Sequence, residues 1–265
     1  MDTSVMITLG FLVFAIVMFA WEKIPLSITA MVVAVGLHLS GVLSAKEAFA
    51  GFVDPNVLLF MGMFVIGEAF FATGVAVGVG NVVHKFAKTE TSLLVAVMMI
   101  TGILSGFLSN TGTAAVLIPV IIGICKKSGF KQTKLLMPLV FAAAMGGNIS
   151  LIGAPGNMIA QAGLQQAGLG SFNFFDYGLV GLPILIVGTI FYATIGKRFL
   201  PDAPSHQPDG AFEGNDDYSH VPSWKKWTAA IILILTVVAM IFEKQLGVKL
   251  YVSAWIGALV LVATN

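Results

Sequence analysis

The sequence predicts an all-α integral membrane protein of the inverted-repeat transporter kind, with a re-entrant hairpin, a broken helix and a second repeat cut short. Three observations carry this expectation. Of 265 residues, 57% are hydrophobic and only 10% charged, which a water-exposed surface could not accommodate. Several uncharged stretches approach or exceed the roughly 18–20 residues that span hydrocarbon. Two of them, 91–125 and 135–168, are interrupted by small polar residues.

The first helix is expected over Val5–Ala20. Met1-Asp-Thr-Ser lacks the basic start and cleavage site of a signal peptide, so this helix reads as retained. It ends at Trp21-Glu22-Lys23, an aromatic and charged marker of the membrane interface. Pro25 then opens a second helix to about Val42, since proline suits a first helical turn. A third apolar segment runs from about Asn56 to Gly74, beyond the Asp54-Pro55 turn signal. The glycine-rich stretch 74–81 does not read as one straight helix.

The hairpin comes next. Its arms are expected at Thr91–Leu108 and Gly112–Cys125, with Ser109-Asn110-Thr111 at the tip. His84, Lys85 and Lys88 precede the uncharged run; Lys126, Lys127, Lys131 and Lys134 follow it. Lysines at both ends favour the cytoplasmic side, so the chain enters and leaves on one face. Stretch 135–168 has lysines on one side only and reads as a single crossing. Gly146-Gly147-Asn148 and Gly153-Ala154-Pro155-Gly156-Asn157 divide it into two half-helices around an unwound middle. A fifth crossing is Tyr177–Gly196.

The domain reading follows from these segments. Residues 1–196 form the first transmembrane repeat, 197–226 a solvated cytoplasmic linker rich in proline and acidic residues, and 227–265 the start of a second repeat. Phe19–Thr29 resembles Met240–Leu250, each lying between two apolar helices, which suggests an internal repeat. After five crossings the second copy enters from the opposite face. The sequence therefore reads as a partial chain. With the N-terminus outside and the hairpin entering from the cytoplasm, only Lys46, Lys244 and Lys249 of the 14 basic residues fall outside. That agrees with the positive-inside tendency and places the protein, multi-pass, in the plasma or inner membrane.

Other classes fare poorly. A net charge of +1 implies no nucleic-acid partner. One cysteine and four scattered histidines give no metal-ligand spacing and no disulfide. An enzyme would need a catalytic dyad or a metal cluster at one depth, and the sequence offers neither. No organic cofactor is implied.

Chemistry concentrates at the two interruptions. Ser105 and Ser109, four apart, are expected on one helix face just before Asn110. Serine hydroxyls, the Asn110 carbonyl and backbone carbonyls freed by the break are neutral oxygen donors suited to a sodium ion. Half-helix N-termini after Thr111 and Pro155, with donors from Asn110 and Thr111, suit a carboxylate or oxyanion.

The motifs Ser109-Asn110-Thr111 and Gly146-Gly147-Asn-Ile-Ser-Leu-Ile-Gly153-Ala-Pro155-Gly-Asn157 resemble the divalent anion/sodium symporter family of the ion transporter superfamily. The resemblance implies sodium-coupled uptake of a dicarboxylate, tricarboxylate or sulfate by homodimers working through an elevator motion. It implies a sodium site at Ser105, Ser109, Asn110 and Gly153, and substrate contacts at Asn110, Thr111, Ala154 and Pro155. Gly146, Gly147, Asn148 and Asn157 would support the breaks, and no metal beyond sodium is implied. Three positions depart from the family pattern: Gly112 for alanine, Ala154 for serine or threonine, and Gly156 for a second proline.

The alternatives are a cation/proton antiporter or metalloid-anion permease of the same superfamily, and a non-transporting membrane scaffold fragment. Proton exchange would want an Asp or Glu in the breaks. Glu68 reads as a buried, hydrogen-bonded or interfacial carboxylate ahead of an ion ligand. His38 and the four tryptophans read as interfacial, Cys125 as a small buried hydrophobe, and Gly74, Gly78 and Gly80 as a packing seam.

Overall fold

The computed structural model describes residues 2–75, 78, 83, 89–201 and 220–264, with residues 126 and 127 described by their backbone only. Expectations for Gly80, His84, Lys85, Lys88, most of the 197–226 linker and the side chains of Lys126 and Lys127 lie outside the described residues. The chain divides into two compact units, Met1–Leu58 and Leu59–Asn265. All regular structure among the described residues is helical.

In the first unit, α1 (Thr3–Trp21) is apolar all round, and only Met18 is buried. At about 1.5 Å per residue its 19 residues are long enough to span hydrocarbon. Its exposed leucine, valine and isoleucine side chains meet lipid at little cost. Glu22 ends it in the left-handed region, at φ 53°, and turns the chain into α2 (Leu26–Leu39). Gly36 leaves room for the Phe11 ring, which locks the two helices together. A capping box opens the short α3 (Ala45–Ala48): Ser44 Oγ accepts from Glu47 N, while the Glu47 carboxylate accepts from Ser44 N at 2.9 Å. Ser44 Oγ also donates to the carboxylate at 2.7 Å, and this bond, with the one from Ser44 N, holds the Glu47 carboxyl below its ordinary value.

The helix α4 (Pro55–Ala72) leads into the second unit, where it packs on α12 (Leu250–Thr264). An added Cβ on Gly62 would stand 2.9 Å from Ala254 Cβ, and Gly257 lies against Ile66. Bare glycines let the backbones of neighbouring helices approach, as membrane helix pairs require. Beside these run α10 (Ser223–Ile241) and the one-turn α11 (Glu243–Leu246). Leu59, Ile66 and Phe70 join Leu233, Met240 and Ala254 in one core, which reaches Leu108 and Leu151 at the polar interruptions.

A second core binds α5 (Glu90–Ser105), α6 (Asn110–Ser128), α7 (Thr133–Gly146) and α9 (Gly178–Thr194), through Leu93, Met98, Leu117, Ile121, Leu139 and Leu185. Between α7 and α9 lies α8 (Pro155–Gln166). Thus 91–125 is two helices joined by residues 106–109, and 135–168 is two helices separated by 147–154.

Three expectations shift. The non-helical tip is 106–109, and Asn110 and Thr111 are already the first residues of α6, because the Ser109 side chain caps that helix. Since α5 ends at Ser105, Ser105 and Ser109 do not share a helix face. The glycine seam also changes character. Gly74 has φ +73° and closes α4, while nothing lies within 4 Å of a Cβ placed on Gly78.

Candidate functional site

The two interruptions meet through glycine. Gly102 on α5 and Gly106, the residue that caps its end, form a small-xxx-small face that seats the break. A side chain on Gly146 would strike the Gly102 backbone. One on Gly106 would meet Ile149 Cβ at 3.1 Å, and one on Gly153 would stand 2.6 Å from Gly147 O and 3.0 Å from Gly106 O. From the other side, Gly178 and Gly181 of α9 admit the carbonyls of Ile149 and Asn148. The unwound segment is clamped between two glycine faces, which is how its polar backbone stays packed inside an apolar protein.

Side chains then stitch it. Asn157 Nδ2 donates to Gly147 O and to Ser150 O, each at 2.9 Å, closing the break across its own ends. Ser150 Oγ, fully buried, donates to Gly106 O and accepts from Ile152 N, tying the break to the tip. Tyr177 Oη donates to Asn157 O at 2.9 Å, and Leu151 N to Phe174 O at 2.9 Å. Asn148 is exposed and makes only a 3.4 Å contact from its own Nδ2 to Ala144 O. It supports the break through its backbone carbonyl.

At the tip, four oxygen-bearing groups converge. Ser105 Oγ donates to Ala143 O at 2.7 Å. One end of the Asn110 amide lies 2.7 Å from Ser105 Oγ, 3.1 Å from Gly153 O and 3.2 Å from Ala143 O. Because a hydroxyl has one hydrogen, Ser105 cannot donate to both Ala143 and Asn110. With the amide nitrogen turned inward, all three oxygens receive a donor. With the amide oxygen inward, Ser105 Oγ, Asn110 Oδ1, Ala143 O and Gly153 O form a cluster of neutral oxygens. Gly147 makes this possible, since a Cβ there would collide with the Asn110 amide.

The remaining residues face a cavity of about 190 Å³. The tip and the first turn of α6 supply Phe107–Thr111, the break and the start of α8 supply Ile152, Gly153 and Pro155, and α4 supplies Phe60, Met63 and Phe64. Thr111 and Pro155 line it and are exposed, whereas Ala154 is half-buried and does not line it. The helices α6 and α8 both begin here, the latter with Ala154 as N-cap and Pro155 in its first turn. Ser109 Oγ accepts from Gly112 N at 3.1 Å, so its oxygen is used as a cap. The N–H groups of Asn110, Thr111 and Gly156 have no partner among the described residues.

Of the residues picked out from sequence, Ser105, Asn110 and Gly153 come together, and Thr111 and Pro155 line the adjoining cavity. Ser109 sits at the tip but outside the oxygen cluster. Sequence reasoning missed Ala143 O, Ser150, Tyr177 and the glycine pairs Gly102/Gly106 and Gly178/Gly181. The spacing of those glycines was the available signal.

A helical membrane protein whose polar backbone breaks meet at a cavity belongs to the broad class of membrane transporters. The citrate transporter family model matches residues 16–265. The chain belongs to that family, which is related to the divalent anion/sodium symporters. It is 33% identical over 211 residues, 79% of its length, to the uncharacterized transporter YfbS of Escherichia coli K12, covering 35% of that protein. It is 27% identical over 194 residues, 68% of its length, to the sodium-dependent dicarboxylate transporter SdcS of Staphylococcus saprophyticus, covering 37% of it. With sodium/sulfate cotransporter 1 of Chlamydomonas reinhardtii it shares 26% identity over 205 residues, 74% of its length and 23% of that protein. The family and these relatives are transporters, not enzymes. The chain spans about a third of the length of YfbS and SdcS.

Proposed function

We propose that this chain forms the N-terminal part of a sodium-coupled symporter for a small dianion or trianion, such as sulfate or a di- or tricarboxylate. The observation that carries the reading is the oxygen cluster of Ser105, Asn110, Ala143 and Gly153. The Asn110 amide stands at hydrogen-bond distance, 2.7–3.2 Å, from Ser105 Oγ, Gly153 O and Ala143 O, so with its oxygen inward a small outward shift would open the spacing that a cation with oxygens about 2.4 Å away needs, as around calcium, an ion of similar size. Sodium would replace the amide hydrogens of Asn110, turning its oxygen inward. The neutral donor set favours a monovalent ion, since a divalent one would call for carboxylates.

The anion would take the free N–H groups of Asn110, Thr111 and Gly156, where two helix N-termini point into one cavity. Partial positive charge at helix starts holds an anion without Arg or Lys. Sodium beside it would supply the missing full charge, which is a direct physical basis for coupling. Ala154 contributes backbone only, so selectivity would rest on geometry and on the second half of the site. The family resemblance adds inverted repeats, an elevator motion, a homodimer, and a cell-membrane location with the N-terminus outside.

The test is uptake by the full-length gene product in proteoliposomes. Sulfate, succinate and citrate are offered with and without an inward sodium gradient. Sodium-driven uptake of at least one anion is expected, with loss in Asn110→Ala. Uptake indifferent both to sodium and to this substitution would end the reading and favour a scaffold or another coupling ion.

A further inference from the structure

The helix α8 begins at the hairpin-tip cavity, where Pro155 forms part of the wall. Its direction decides where its first N–H groups point. Of its twelve residues only Asn157, Met158 and Gln161 are buried, and two of these three are polar. Met158 alone joins an apolar core among the described residues. Within this chain, apolar packing therefore gives α8 little grip, and hydrogen bonds must supply it. Asn157 and Gln161, four apart, offer them on one face of the helix.

Their partners come from one short loop, 172–177, which leads into α9. Gln161 Oε1 accepts from Phe172 N at 2.8 Å, and Gln161 Nε2 donates to Phe172 O at 3.4 Å. One turn nearer the cavity, Tyr177 Oη donates to Asn157 O at 2.9 Å. The Phe172 and Tyr177 rings lie 4.8 Å apart, so the two grips brace each other. The loop is anchored in turn. Phe174 O accepts from Leu151 N, and the Phe174 ring stacks on Phe107 of the tip, with centroids 6.5 Å apart. Asn173 N donates to the Asp176 carboxylate at 2.7 Å, and Lys244 Nζ donates to Asn173 Oδ1 at 2.7 Å. The oxygen cluster of Ser105, Asn110, Ala143 and Gly153 draws its hydrogen bonds from α5, α6, α7 and the break, not from this loop.

We propose that Tyr177 and Gln161 are positioning residues for the anion end of the site: they clamp α8 to loop 172–177 and so fix where its N-terminus points, without touching anion or sodium. This rests on the sodium-symport reading above, but the clamp can be tested independently. Tyr177→Phe removes one hydroxyl and keeps the ring beside Phe172. In full-length protein it should speed amide hydrogen exchange across α8 and leave exchange across α7 unchanged. Equal exchange in wild type and variant would overturn the clamp whether or not transport is seen.

In proteoliposomes, Tyr177→Phe should raise the KM for sulfate, succinate or citrate, whichever the wild type takes, about fivefold, the worth of one ordinary hydrogen bond. The kcat should hold, as should the rise in melting temperature that sodium gives without anion. Gln161→Met, which keeps the length but neither bond, should move KM the same way; if it does not fold, Tyr177→Phe decides alone. An unchanged KM would overturn the role. So would a variant that loses its sodium response along with its anion affinity, which is the mark of general loosening. Anion uptake by the wild type without sodium would sink the symport reading and leave the KM test standing. No uptake of any of the three anions sinks that reading and the anion role together, while hydrogen exchange still decides the clamp.

Discussion

The two interruptions of the helical framework are built differently. At the hairpin tip, side chains converge: Ser105 and Asn110 gather two distant carbonyls, and Ser109 caps the outgoing helix. At the break, backbone is packed against backbone, with glycines on both flanks and Asn157 and Ser150 as cross-ties. The tip is thus a place where groups can exchange partners, since an amide can turn over. The break is a rigid seat with no slack for a methyl group. One element offers variable oxygens and the other fixes where they point.

Changes to the seat should be the most damaging. Gly146→Ala drives a Cβ into the Gly102 backbone, where no side chain can yield. We expect a cost at or above the upper end of the ~1–3 kcal/mol typical of overpacking. Loss of monodisperse protein in size-exclusion chromatography would register it. A Gly146→Ala protein that melts like wild type would mean the two backbones are not in contact.

The second test separates seat from ligand. Asn157→Ala strands the Gly147 and Ser150 carbonyls in a buried site. It should lower stability by about 2 kcal/mol, the scale of an unsatisfied buried acceptor. Its melting temperature should still rise when sodium is added, because binding to the folded state alone stabilises it. Asn110→Ala should do the reverse, with a smaller loss of stability and no response to sodium. If both variants respond to sodium alike, the division between tip and break fails.

The smallest effects should come from the open glycines. Nothing lies within 4 Å of a Cβ on Gly156, near the start of α8, so Gly156→Ala should stabilise by up to ~0.5 kcal/mol through reduced chain entropy. Gly112→Ala meets the edge of the Phe71 ring and Ser109 Oγ, both at 2.6 Å. A rotatable ring can give way, so we expect a loss below ~1 kcal/mol. Thermal melts of the pair would show opposite signs.

Much of this was legible in the sequence. The apolar helices and the two interruptions, at 106–109 and 147–154, follow from the uncharged runs and from glycine and proline, whereas the grouping of Ser105 and Asn110 with Gly153 came from the family resemblance. What stayed hidden depends on contacts between distant residues. Whether Ser109 lies on a helix face or caps the next helix is decided by where α5 stops, which single-sequence reasoning places only to within a few residues. Ser150 looked like part of a motif, yet its role is to reach Gly106, 44 positions away. Glu68 reads as buried or interfacial because its neighbours are apolar, and the fold leaves it exposed, on a face of α4 that neither α12 nor the hairpin covers.

The span of those ties also bears on how the protein is made. Ser105 binds a carbonyl 38 residues downstream, and the tip accepts its bond from Ser150 later still. When the hairpin arms leave the ribosome, the residues that will satisfy their polar apex have not been synthesised. Bare peptide groups cannot rest in hydrocarbon. The hairpin is therefore expected to insert stably only once α7 and the break have been made. We expect residues 90–157 to settle in the bilayer together, because the glycine contacts tie the two interruptions to each other.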